Sequence, residues 1–405
     1  MPVKENLLRP PMSSMPKAIT LSALRKTRNA SDAPSARRFA PKSPLRSTVN
    51  KILIQGNHVV GEAAIRAGCR FYAGYPITPQ NELTEYMAEH MRKAEGGTFI
   101  QAESEIAAIN MVLGAGAAGA RAMTSSSSPG ISLKQEGISF LAADELPAVI
   151  INIMRGGPGL GNISPSQGDY FQATRGGGHG DYRTIVLAPA SVQEMADLTM
   201  KAFELADLYR TPVMLLADGM TGQMMEPVVF KEPPPRQYDN NYILRGAGEG
   251  RSRFIRGLIL DTLKEEEHNW KLKRKYNIIE QREKRYELFK TEDADLLIVA
   301  YGTAARIAKG SIKRVREMGM KVGLIRPITL WPFPDRIIQE YSRRIDHFLV
   351  FEMSTGQMLD DVKLALNGRG NVGFHGRPGG VVPTPVELAK VIMNYYKTEQ
   401  PAAAE

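Results

Sequence analysis

The sequence predicts an α/β protein built from two parallel-sheet units in series. Three observations point there. From residue 51 onward, short apolar runs alternate with longer runs of helical period. Several strands, such as Ala148–Met154, are apolar throughout, the pattern of a strand buried on both faces of a parallel sheet. Of the 37 glycines, 22 fall in residues 51–230, mostly in turns after strands, where an α/β sheet builds its site.

The charge is concentrated outside this pattern. The 405 residues carry 52 Lys and Arg against 43 Asp and Glu, a net +9. Residues 1–50 hold ten basic side chains and two acidic ones, which leaves 42 and 41 for the remainder. The body is therefore nearly neutral and the basicity is a tail. That tail is rich in Pro, Ser and Arg, lacks apolar periodicity and reads as disordered. It fits a targeting peptide, a nucleic-acid-binding arm, or an over-extended reading frame in which translation starts near Val49. N-terminal sequencing of native protein decides among these.

The elements follow in order. Lys51–Gln55 reads as a strand, Val59–Ala67 as a helix, Arg70–Gly74 as a strand, and Pro79–Lys93 as a helix. Thr98–Gln101, Ala122–Ser125, Ala148–Met154, Ile185–Ala188 and Val213–Ala217 read as strands, separated by helices at Ile106–Ala118, Ile131–Ala142 and Val192–Tyr209. Pro233-Pro234-Pro235 then breaks any element. Residues 231–293, including Lys264-Glu265-Glu266-Glu267, read as a charged linker with exposed helices. The second unit, 294–400, begins with strand Leu296–Tyr301, helix Ala304–Met318 and strand Lys321–Ile325. Helix Ile337–Tyr341, strand Phe348–Phe351, helix Met358–Leu366 and helix Val386–Tyr396 complete it.

Composition and motifs exclude several functions. A single cysteine, Cys69, rules out a disulfide framework and any cluster held by several cysteines of this chain. No apolar run approaches the roughly 20 residues that span a bilayer. There is no G-x-x-x-x-G-K-[ST], H-E-x-x-H or G-x-S-x-G. Gly157-Pro158-Gly159-Leu160-Gly161 has the wrong glycine spacing for a dinucleotide loop.

The strand ends carry the chemistry. Tyr75-Pro76-Ile77-Thr78-Pro79 follows a strand. Thr78 there fits an N-cap with Pro79 at the first helical position, or a hydroxyl and free amides facing an anion. Arg155 ends an apolar strand before a glycine run, placed either to grip a carboxylate with two parallel hydrogen bonds or to make an ordinary salt bridge. Glu105 opens a small-residue helix, either as a partner of the helix dipole or as a buried acid with a perturbed pKa. Ser125, Ser126, Ser127 and Ser128 form another strand-to-helix turn, as caps or ligand contacts. His179, within a glycine-rich run, reads as a loop histidine rather than a base.

Tyr75-Pro-Ile-Thr-Pro, Gln101-Ala-Glu-Ser-Glu-Ile-Ala-Ala, Thr124-Ser-Ser-Ser-Ser-Pro-Gly and Met154-Arg-Gly-Gly-Pro-Gly-Leu-Gly together resemble the α subunit of 2-oxoacid:ferredoxin oxidoreductases. The resemblance runs from about Lys51 to Tyr396, more weakly in the second unit through Gly376-Arg-Pro-Gly-Gly, and excludes the tail. It implies a thiamine-diphosphate-enzyme pyrimidine-binding domain followed by a domain like the transketolase C-terminal one. It also implies oxidative decarboxylation of a 2-oxoacid with coenzyme A (CoA), giving acyl-CoA, carbon dioxide and reduced ferredoxin. Glu105 would then hydrogen-bond the aminopyrimidine ring of the cofactor. Thr78 and Arg155 would hold the substrate carboxylate. Tyr75, Pro76, Ile77 and Ser125–Ser128 would line the cofactor.

The chain lacks parts that this chemistry needs. A G-D-G metal–diphosphate signature is missing, since Gly168-Asp169 and Gly180-Asp181 are each followed by Tyr. One cysteine cannot ligate an iron–sulfur cluster. The resemblance therefore implies thiamine diphosphate shared with a β subunit, and Mg²⁺ and iron–sulfur clusters held only by partners. Those partners are the β subunit, a γ subunit and a ferredoxin-like small subunit. The location implied is cytoplasmic, with neither nucleic acid nor membrane as partner. The run from Asn162 to Asp181 resembles the branched-chain (3-methyl-2-oxobutanoate) type, with the 2-oxoglutarate type as the alternative. A stand-alone nucleotide-dependent dehydrogenase and a nucleic-acid binder using its basic tail are the readings from other classes. Neither accounts for the strand-end motifs together.

Overall fold

The structure, a computed structural model, describes residues 51–232, 241–246 and 254–399. The tail 1–50 and Pro233–Pro235 lie outside the described residues, and so do the expectations placed on them.

In chain order the first half contains β1 (Ile52–Gln55), α1 (Gly56–Arg66), β2 (Phe71–Gly74), α2 (Asn81–His90, followed by a 3-10 turn at Met91–Lys93), β3 (Thr98–Gln101) and α3 (Glu105–Ala117). There follow β4 (Ala122–Ser126), α4 (Pro129–Ala143), β5 (Ala148–Met154), α5 (Tyr170–Arg175), β6 (Ile185–Leu187), α6 (Val192–Tyr209), β7 (Pro212–Asp218), α7 (Gly219–Gln223) and β8 (Met225–Val228). The second half contains α8 (Thr262–Arg282), β9 (Tyr286–Phe289), β10 (Leu296–Val299), α9 (Gly302–Glu317), β11 (Val322–Pro327) and β12 (Thr329–Trp331). It ends with α10 (Asp335–Tyr341), β13 (His347–Glu352), α11 (Gln357–Leu366), β14 (Asn371–Gly376) and α12 (Pro385–Glu399).

The first sheet has the order β12-β6-β7-β5-β4-β2-β3 and is parallel except for β12, which runs antiparallel to β6. Its central strands β5 and β7 are buried along their whole length, as their unbroken apolar sequence requires. The second sheet, β14-β13-β10-β11-β9, is parallel except for β9.

Two findings differ from the sequence-based expectation. β1 forms as expected but pairs antiparallel with β8, apart from the main sheet. The charged segment forms one long helix, α8, whose Leu272, Tyr276 and Ile279 make a buried stripe at helical spacing. The elements absent from the sequence reading are short or interrupted: β8, β9, β12, β14, α5 and α7. Runs such as Thr329–Trp331 are too brief to display a period.

The two halves share a core. Along β10, Leu297 and Val299 face the first half, while Leu296 and Ile298 face α9 and α12. Polar side chains tie the same boundary. Gln167 donates to the Tyr301 carbonyl at 3.0 Å and accepts from the Met353 amide at 2.9 Å. The buried Asp218 carboxylate accepts from the Thr303 hydroxyl at 2.9 Å. Arg326, buried on β11, forks onto Glu194 of α6 at 2.8 and 2.7 Å. Among the described residues no helix is long and apolar enough to cross a membrane.

The topology places the site. From β2 the chain passes to β3, then crosses back to lay β4 on the other side of β2. α2 leaves β2 to pack with α1, whereas α4 leaves β4 to pack with α3. The order therefore reverses between β2 and β4, and loops that leave to opposite faces open a crevice at their carboxyl ends.

Candidate active site

Glu105 is delivered to that crevice by a capped helix. The Ser104 side chain accepts from the Ala107 amide at 3.2 Å and sets the first turn of α3. Glu103 is exposed and Glu105 is 6% exposed, which separates two acids that the sequence leaves equivalent. The small-residue character of α3 is matched on α4. A Cβ on Gly137 would lie 2.6 Å from Ile109, and a Cβ on Gly130 would lie 2.6 Å from the Glu105 Oε1 and clash with the Ser126 hydroxyl. These two glycines let α3 and α4 approach closely. Beneath them Lys134 is fully buried. Its Nζ donates to the Glu105 main-chain oxygen at 3.3 Å and to the Thr124 hydroxyl at 3.1 Å. Burial pulls the Lys134 pKa down to about 8, against the opposing charge of Glu105.

The four serines divide by strand alternation. Ser125 points away from Glu105, donating to Gln80 Oε1 at 2.6 Å and meeting the Tyr72 hydroxyl at 2.5 Å. Ser126 and Ser127 are fully buried, and neither hydroxyl has a hydrogen-bond partner. Ser128, at φ +25°, bonds the Asp169 carboxylate at 2.6 Å and receives the Arg155 amide at 3.0 Å. Asn152 donates to the same Asp169 oxygen at 2.9 Å. Burial holds the Asp169 carboxyl above its usual range, and these two donors and the Arg155 charge offset only part of that rise. Asp169 carried no signal in the sequence beyond its place beside a glycine.

Arg155 and Thr78 meet. The buried guanidinium donates from Nη1 to the Thr78 carbonyl at 3.0 Å and from Nη2 to the Leu160 carbonyl at 3.1 Å, while its Nε is buried without a partner. It thus joins the Tyr75–Pro79 turn to the glycine loop. That loop is itself pinned to the second half by Asn162, which donates to the Gly379 carbonyl at 2.9 Å.

Thr78 does not cap a helix. The Thr78–Pro79 peptide is cis, and Gln80 N–H closes a tight turn onto the Ile77 carbonyl at 3.0 Å. α2 consequently starts two residues later than expected, with Gln80 at its N-cap position. The Thr78 hydroxyl accepts from the Asn81 side chain at 3.3 Å. Tyr75 and Pro76 are exposed and Ile77 is half-buried. His179 is an exposed loop residue whose carbonyl, not its ring, is engaged, accepting from Ser139 at 2.9 Å.

Residues 62–288 match the family described as pyruvate flavodoxin/ferredoxin oxidoreductase, thiamine-diphosphate-binding. The chain belongs to this family. Residues 294–388 match the pyruvate:ferredoxin oxidoreductase core domain II. The ketoisovalerate oxidoreductase subunit VorB of Methanothermobacter marburgensis is 51% identical over 329 residues, covering 81% of this chain and 93% of that protein. The 2-oxoglutarate synthase subunit KorA of Archaeoglobus fulgidus is 43% identical over 319 residues, covering 77% and 90%. Among solved structures, 2-oxoglutarate:ferredoxin oxidoreductase from Magnetococcus marinus superposes with a TM-score of 0.76 at 27% identity, over 85% of this chain and 65% of that one. A split-gene transketolase shares the fold alone, at a TM-score of 0.51 and 12% identity.

The residues present fit one end of the family's cofactor. A buried carboxylate, two buried hydroxyls without partners, and a glycine whose Cβ would intrude on the carboxylate and on the Ser126 hydroxyl suit an aminopyrimidine ring. Among the described residues no three His, Cys, Asp or Glu side chains are grouped to hold a metal ion.

Proposed function

We propose that this chain is the α subunit of a thiamine-diphosphate-dependent 2-oxoacid:ferredoxin oxidoreductase acting on 3-methyl-2-oxobutanoate. The products are the acyl-CoA, carbon dioxide and reduced ferredoxin. The observation that carries the substrate assignment is the 51% identity to a ketoisovalerate oxidoreductase subunit along nearly its whole length. In this reading residues 51–230 form the pyrimidine-binding unit, 231–293 the linker, and 294–400 the unit like the transketolase C-terminal domain. The complex is cytoplasmic.

Thiamine diphosphate supplies the nucleophilic carbon and the electron sink for decarboxylation. This chain supplies the rest of the pyrimidine side. The buried Glu105 carboxylate would hold and transfer a proton at a ring nitrogen of the aminopyrimidine. The buried, unpaired hydroxyls of Ser126 and Ser127 would contact the cofactor. Ser125 and Ser128 hold the turn that presents them. Arg155 and Thr78 orient the substrate carboxylate, and Tyr75, Pro76 and Ile77 line the cofactor side. The diphosphate, its Mg²⁺ and the iron–sulfur clusters belong to partner chains: a β subunit, a γ subunit and a ferredoxin-like subunit.

The test is a 2-oxoacid panel on the purified complex, with CoA and ferredoxin supplied. Highest kcat/KM for 3-methyl-2-oxobutanoate supports the reading. Highest kcat/KM for 2-oxoglutarate overturns the substrate assignment in favour of the second reading, which the 43% identity to a 2-oxoglutarate synthase subunit supports.

A further inference from the structure

Lys134 is a buried cation that the chemistry above does not use. It stands on α4 with no exposed surface, in a position where an apolar side chain would fill the same space without desolvating a charge. Its two hydrogen bonds are specific. One goes to the main-chain oxygen of Glu105 at 3.3 Å, the other to Thr124 on β4 at 3.1 Å. The charged group that faces it is Glu105 from α3, while β4 presents the neutral Thr124. Gly130 and Gly137, four residues before and three after on the same helix face, let α3 approach so that the ammonium reaches the first residue of α3.

We propose that Lys134 is the positioning residue for Glu105: its ammonium fixes the first turn of α3 through the Glu105 carbonyl and supplies the buried counter-charge that holds the carboxylate toward the aminopyrimidine. This rests on the reading of Glu105 as the acid–base group. In this proposal Lys134 acts through Glu105, to whose main chain it bonds, rather than on the cofactor or substrate.

Two variants of the assembled complex test it. Lys134→Gln keeps a donor without the charge, and Lys134→Met removes both. Thiamine diphosphate affinity is measured by equilibrium dialysis, and kcat for the 2-oxoacid in parallel. Both variants are expected to bind thiamine diphosphate roughly tenfold more weakly and to lose kcat, with KM for the 2-oxoacid unchanged. In a Glu105→Gln background, where the carboxylate is gone, Lys134→Gln is expected to change affinity by no more than about twofold, because residues acting as a unit do not add. A purely structural lysine would leave affinity intact in variants that assemble. Wild-type affinity and kcat in Lys134→Gln, or full additivity with Glu105→Gln, overturns the proposal, and the Gln variant decides alone if the Met variant does not assemble. Wild-type rates in Glu105→Gln overturn the reading of Glu105 instead, so the two failures are distinguishable.

Discussion

Arg155 donates from Nη1 to the main-chain oxygen of Thr78 at 3.0 Å, so the two residues assigned to the substrate carboxylate are held to each other by a bond between a side chain and the backbone. The same guanidinium reaches the Leu160 carbonyl at 3.1 Å. Planar geometry makes this double reach possible, and a lysine ammonium cannot reproduce it. Arg155→Ala and Arg155→Lys should therefore both fail, for partly different reasons. The alanine variant loses charge and tether; the lysine variant keeps charge but frees the glycine loop. Steady-state kinetics on the complex should show KM for the 2-oxoacid raised about 100-fold in Arg155→Ala, in line with a lost charged hydrogen bond of roughly 2–3 kcal/mol. Arg155→Lys should recover no more than a small part of that. A lysine variant at wild-type KM would show that charge alone suffices and that the tether is incidental.

Glu105 and Glu103 differ in sequence by two positions and in structure by burial. Glu105→Gln is nearly isosteric and leaves the Ser104 cap and the Lys134 bond to the main chain in place. It should lower kcat by about 10²–10⁴-fold, the usual contribution of a positioned acid–base group. Glu103→Gln should be indistinguishable from wild type. Circular dichroism and gel filtration should show both complexes intact. Equal rates in the two variants would dissolve the distinction that burial draws.

Much of this architecture was legible because parallel strands buried on both faces carry unmistakable apolar runs, as in Ala148–Met154. The strand ends were legible for the related reason that an α/β sheet places its site there. What the sequence concealed depends on contacts between distant segments. Nothing local announces that β1 leaves the main sheet for β8, or that β12 crosses from the second half to the edge of the first sheet. Thr78-Pro79 reads as a helix start because threonine suits an N-cap and proline the first helical position, and the tight turn that Gln80 closes onto Ile77 instead has no local sequence mark. The four serines read as one group, although alternation along β4 sends Ser125 into the Tyr72–Gln80 network and leaves Ser126 beside Glu105. Lys134 did leave a trace: Gly130, Lys134 and Gly137 share one helix face, so a lysine between two glycines there marked a close, buried contact.

The glycines of α3 and α4 provide a graded test of that contact. A Cβ on Gly130 would collide with the Ser126 hydroxyl and lie 2.6 Å from the Glu105 carboxylate, whereas a Cβ on Gly114 would meet nothing within 4 Å. Gly130→Ala should therefore weaken thiamine diphosphate binding and lower kcat together. Gly114→Ala should leave both unchanged and stabilise α3 by about 0.5–1 kcal/mol, since alanine loses less backbone entropy in a helix. Gly137→Ala, 2.6 Å from Ile109, should lower thermal stability with a smaller effect on catalysis. Denaturation midpoints and dialysis separate the three. Normal cofactor affinity in Gly130→Ala would mean that the pocket beside Glu105 is wider than the packing indicates.

The Lys134 ammonium should move stability and activity in opposite directions with pH. Burial lowers its pKa from 10.5 to about 8 in the folded chain, while the unfolded chain keeps the ordinary value. Between those two pH values the unfolded state binds the extra proton, so raising the pH through this window adds stability from this site. Below about pH 8 both states are protonated and the desolvation penalty is fully present. Melting temperatures of wild type and Lys134→Met, compared from pH 7 to 10, should therefore show the wild type gaining on the variant as pH rises, with other titrating groups cancelling in the comparison. Catalysis should do the reverse. Deprotonation above about pH 8 removes the charge facing Glu105, so wild-type kcat should fall where relative stability climbs, and Lys134→Met should lack that limb. A constant stability difference across the range would mean that the ammonium is not desolvated. A falling kcat limb retained in the variant would assign that titration to another group.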